Sequence, residues 1–177
     1  PVPDAYLGLA SYDSSGNKMM EEWSPLVNIT TDNAVDNGWQ RVTLQVTVPS
    51  GTNKVQLLAG ITANTSGMVF FDCIQLEKDD SAHLYNMLED SGFEKSSGWS
   101  LDSGASRVGT STVQGAKALK IDGVSLSSSS PNYAAKTKAS QTVNVQGSKS
   151  DSYVFSGWAK ANALPRKGDA NSDSRFF

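Results

Sequence analysis

One cysteine, Cys73, is all the thiol chemistry in 177 residues. It can build no intrachain disulfide framework and no multi-cysteine metal site. Histidine is as scarce: His83 stands alone, near Asp79, Asp80 and Ser81, with no nucleophile elbow to complete a triad. Cationic excess is missing as well. Fifteen Lys and Arg against 18 Asp and Glu leave a net charge of −3 and a pI near 5.1, so no nucleic-acid footprint is expected. No apolar run approaches about 18 residues, which excludes a helical membrane span. Phosphate loops, zinc spacings and redox motifs are absent too. Carboxylate pairs for glycoside cleavage can be drawn from Glu89, Asp90 and Glu94, where solvated charge is the simpler reading. No enzyme is expected. The ends, Pro1 and Phe177, read as cuts within a longer protein.

What is present is polar and short-ranged. The apolar fraction is 38%, and Ser and Thr supply about a fifth of the chain. That composition suits short, half-exposed strands joined by polar turns. Period-2 alternation is clearest after the turn dipeptide Asn37-Gly38. Val42, Leu44, Val46 and Val48 face one way, and Arg41, Thr43, Gln45 and Thr47 the other. After the turn Pro49-Ser50-Gly51-Thr52, Val55, Leu57, Ala59 and Ile61 share a face. Met68 to Glu77 follows, with Val69-Phe70-Phe71 apolar on both sides as in a central strand. The spacing predicts an antiparallel meander of these three strands. Further strands are expected at Ala5 to Tyr12, Ala116 to Ile121, Ser140 to Val145 and Ser152 to Ala161. Ser125 to Ser130 and Arg166 to Ser174 read as loops. Such a chain is all-β, an antiparallel β-sandwich of jelly-roll type, because alternating strands must hide one face against a second sheet.

Several stretches look familiar. Asn86-Met87-Leu88-Glu89-Asp90-Ser91-Gly92-Phe93-Glu94, then Gly98-Trp99, resembles the opening of jelly-roll carbohydrate-binding modules of the galactose-binding-like kind (families 4, 9, 16 and 22). Gly115 to Ile121, Ser140 to Val145 and Tyr153 to Lys160 are similar to strands that follow in those modules. The earlier run Val69-Phe70-Phe71-Asp72-Cys73-Ile74-Gln75-Leu76-Glu77 resembles their closing strand, with Cys73 where a second acidic residue is common. Similar modules stand in tandem in YD-repeat (Rhs-like), cell-wall-associated proteins of Gram-positive bacteria. The resemblance thus implies an extracellular, cell-wall or cell-surface location and a polysaccharide or cell-wall glycan as partner. It also divides the chain. Residues 1–78 match the closing half of one module, 79–90 a connector, and 91–177 the opening half of the next.

Each half exposes an apolar sheet face. Seven inward side chains of the first half, from Val42 to Ile61, would forgo roughly 10–20 kcal/mol of burial if left uncovered. The halves are therefore expected to close together, as a circularly permuted single sandwich or by swapping of half-modules between chains.

Modules of this type stack sugar rings on aromatic side chains. Trp158 is the first candidate, with Tyr12, Tyr153 and Tyr133 beside it and Tyr6 as a further one. Trp39 and Trp99 sit at framework positions of the resemblance, and Trp23 falls in a stretch with no assigned element. The resemblance also implies a structural Ca2+ between Glu94 and Asp72, hard oxygen ligands of the right kind. The function expected is non-catalytic carbohydrate binding. The alternative is a structural spacer or adhesion sandwich that binds no sugar.

Overall fold

The computed structural model describes residues 5–24, 38–62, 68–78, 85–123, 136–146 and 151–162. The described residues contain ten strands and no helix. Residues 1–78 carry β1 (Ala5–Tyr12), β2 (Lys18–Trp23), β3 (Gln40–Thr47), β4 (Lys54–Thr62) and β5 (Met68–Lys78). The rest carry β6 (Ser100–Leu101), β7 (Ala105–Val108), β8 (Ala118–Asp122), β9 (Lys136–Asn144) and β10 (Ser152–Asn162). They form two five-stranded antiparallel sheets, β2-β1-β4-β9-β6 and β3-β10-β5-β8-β7. The fold is a β-sandwich.

The strand order corrects the expected meander. β3 and β5 lie in one sheet and β4 in the other, so the chain crosses the sandwich twice between residues 40 and 78. Short turns gave no sign of this, because alternation identifies a buried face but not the neighbour that shares it. β5 is central in its sheet, as its apolar run requires.

Both halves of the chain build each sheet. β9 pairs with β4, and β10 lies between β3 and β5. Within this one chain the second half covers the first. The core between the sheets takes Leu7 and Leu9 from β1, Val42, Leu44 and Val46 from β3, and Val55, Leu57 and Ile61 from β4. From the second half come Leu119, Ile121, Tyr153, Phe155 and Ala159. Phe93 and Trp99 join it, with ring centroids 5.0 Å apart.

Two irregularities decide which side chains face out. In β5, Cys73 and Ile74 together oppose the single residue Gly157, and Cys73 takes a positive φ of 51°. The bulge shifts the alternation by one residue, so Val69 and Phe71 before it and Ile74 and Leu76 after it all reach the core. In β2, Ser11 opposes Met20 while Tyr12 opposes Lys18, which leaves Met19 as the extra residue.

Candidate functional site

Beyond the core, β1 turns Tyr6, Gly8, Ala10 and Tyr12 to the outer face of its sheet, opposite to Leu7 and Leu9. Register then assembles that face. Gly8 lies between Trp23 on β2 and Leu58 on β4, and Ala10 between Glu21 and Gln56. β9 adds Lys138 beside Gly60, Ser140 beside Leu58 and Thr142 beside Gln56. Trp23 lies on Gly8: a Cβ there would sit 2.7 Å from Cε3 and 2.8 Å from Cζ3 of the indole. Glycine is what lets the ring settle on the sheet. The same indole meets Tyr6 edge-on, with centroids 4.3 Å apart and planes at 90°.

Tyr6, Ala10 and Leu58 form a buried floor. Around it Trp23, Tyr12, Gln56, Ser140 and Lys138 are half-buried and Thr142 is exposed. The Tyr12 hydroxyl donates to Gln56 Oε1 at 3.1 Å. Burial pushes the Tyr6 hydroxyl far above the ordinary phenol range, and the charges of Asp102 and Glu21 add to the effect. It stays protonated. Chemically the face offers aromatic rings beside amide, hydroxyl and ammonium groups, which together can hold a ligand with one apolar side and several hydroxyls.

Trp158 occupies the opposite outer face. It lies across from Arg41 and Asp72 and is half-buried in a second apolar cluster with Trp39, Phe70 and Ala118. The core separates it from Tyr12, so no single ligand reaches both. Tyr153 points inward and is 1% exposed; its ring has no free face on which a sugar could stack. Tyr133 and His83 lie outside the described residues. Trp23, which has no role in the sequence reading, is the aromatic the structure adds. The Met19 bulge places it: in unbroken register with Tyr12–Lys18, Trp23 would oppose Leu7 and face the core.

Glu94 and Asp72 are brought together where the two halves of the chain meet. Asp72 is fully buried. Its Oδ2 accepts from Val113 N at 2.7 Å and Gln114 N at 3.1 Å, and its Oδ1 from Cys73 N at 2.7 Å. Glu94 Oε1 accepts from Ala116 N at 2.8 Å and Lys117 N at 3.0 Å. Beside them Cys73, Gln75, Ser91, Glu94 and Gln114 line a hollow of about 250 Å³. As a calcium site this donor set is poor. Ca2+ takes about six to eight oxygens, whereas three of the four carboxylate oxygens here accept from backbone N–H groups. Among the described residues no group of three or more His, Cys, Asp or Glu side chains is arranged to hold a metal ion.

Comparison with protein-family models, curated protein sequences and solved structures finds no match to this chain. The site is therefore read from its own chemistry.

Burial pushes the Cys73 thiol from its ordinary 9.0 up to about 11, helped by the Asp72 charge and a hydrogen bond to it and opposed by Arg41. Two results are expected. Iodoacetamide should label the thiol far more slowly in the folded chain than in denaturant near neutral pH, as read by mass spectrometry. Above about pH 9 the unfolded chain loses a proton that the folded chain keeps. Stability should therefore fall as pH rises from about 9 towards 11.

Proposed function

We propose that this chain is a non-catalytic carbohydrate-binding sandwich of a cell-surface or cell-wall-associated protein. The ligand is a polysaccharide or cell-wall glycan held on the outer face of β2-β1-β4-β9-β6. One observation carries the reading: Trp23 and Tyr12, both half-buried, line the same sheet face as Gln56, Lys138 and Ser140. A pyranose has an apolar face that stacks on a ring and hydroxyls that need oriented partners. Trp23 supplies the first, and Gln56 and its neighbours the second. Trp23 and Tyr12 belong to opposite ends of the face: Gly8, which carries the indole, and Tyr12 are four residues apart, about 13 Å along an extended strand. That spacing favours an extended glycan over a single terminal sugar. Binding at one such shallow face is weak and gains from repetition in tandem.

The test is affinity electrophoresis and calorimetry against a panel of plant and bacterial wall polysaccharides. Trp23→Ala is expected to weaken binding of any retained glycan about tenfold or more, the loss of about 1.4 kcal/mol or more at an aromatic anchor. Trp158→Ala, on the other face, should leave it unchanged. Binding lost in Trp158→Ala and kept in Trp23→Ala would move the site to the opposite sheet. Retention of no glycan would replace this reading with the spacer or adhesion role.

A further inference from the structure

We propose that Asp72 and Glu94 form a metal-independent latch, in which the backbone of residues 113–117 supplies as N–H donors the positive charge a divalent cation would otherwise bring. The donors point the right way for this. Four N–H groups of one short loop converge on two carboxylate oxygens, Val113 and Gln114 on Asp72 Oδ2, and Ala116 and Lys117 on Glu94 Oε1. A fifth, from Cys73, takes Asp72 Oδ1. Successive backbone N–H groups curled round an anion make a small anion site, and here the anions belong to the protein itself. A cation among them would face the positive ends of those dipoles.

The local sequence is shaped to this use. Gly115 has φ +78°, and a Cβ at that position would come within 2.1 Å of Glu94 Oε1. Only glycine lets the loop press its N–H groups onto the carboxylate. The residue after Asp72 is Cys73, whose side chain brings no hard oxygen. Instead its N–H donates to Asp72 Oδ1 at the bulge, where Cys73 has a positive φ. The latch joins β5 of the first half to the 91–94 and 113–117 segments of the second. It thereby holds the sandwich closed without an ion.

Thermal unfolding of the whole chain, followed by circular dichroism in excess EDTA and in millimolar calcium chloride, tests the proposal. The two midpoints should coincide. Glu94→Gln keeps an acceptor oxygen for Ala116 and Lys117 but is a poorer calcium ligand. It should lower the midpoint by the same small amount in both solutions. Gly115→Ala should lower it further, again equally. A ligand that binds only the folded state raises its midpoint. A calcium-dependent rise of about 3 °C or more in the unaltered chain, lost in Glu94→Gln, would overturn the latch and make the pair an ion site.

Discussion

Asp72→Ala is expected to lower the unfolding free energy by about 4 kcal/mol, because three backbone N–H groups lose a charged acceptor at once. The carboxylate is fully buried and accepts from Cys73, Val113 and Gln114. Hydrogen bonds to a charged group are worth about 1.5–3 kcal/mol each, and water reaching the exposed residues Val113 and Gln114 reduces the sum. Against a typical domain stability of about 5–15 kcal/mol the loss is large. Asp72→Asn retains one acceptor oxygen and should lose roughly half as much. Urea denaturation followed by circular dichroism reads both. A loss below about 1 kcal/mol for Asp72→Ala would mean that these bonds do not tie the halves together.

Phe155→Ala should be as severe, at about 3–5 kcal/mol. The ring is 0% exposed and stands on β10 between Leu44 of β3 and Leu76 of β5. Its removal opens a cavity where strands from both halves of the chain meet, and the close-packed neighbours collapse into it only in part. If the interleaved sheets form one cooperative unit, a single transition should move to lower urea with its slope unchanged. A variant that loses only part of its β signal in a separate early step would show instead that the halves unfold independently.

These effects belong to stability, and the proposed binding face is separate from both residues. Asp72 and its latch lie in the sheet that carries Trp158, while Trp23 and Tyr12 lie across the core. Trp23→Ala also removes the ring's packing on Gly8 and Tyr6, so its binding is to be measured well below its own unfolding midpoint.

Much of the sandwich was legible because alternation is a local property. Val42, Leu44, Val46, Val55, Leu57 and Ile61 were readable as one buried set, and they are core residues. Alternation in Tyr153 to Trp158 likewise separated two faces: Tyr153 and Phe155 turn inward and Trp158 outward. Turn dipeptides and the apolar run Val69-Phe70-Phe71 located strand ends and a central strand. By itself, then, the sequence determined that the chain is all-β, where most strands run and which of their faces is buried. Pairing was decided only in three dimensions, since β10 finds its places beside β3 and β5 across long stretches of chain. So were the exposed faces beyond each bulge. One extra residue at Met19 turns Trp23 from the core to the outer surface, and one at Cys73 returns Ile74 to the core. A bulge forms when the contacts on both sides of it, made with distant strands, outweigh one lost ladder position. That balance is tertiary, and no window of neighbouring residues contains it.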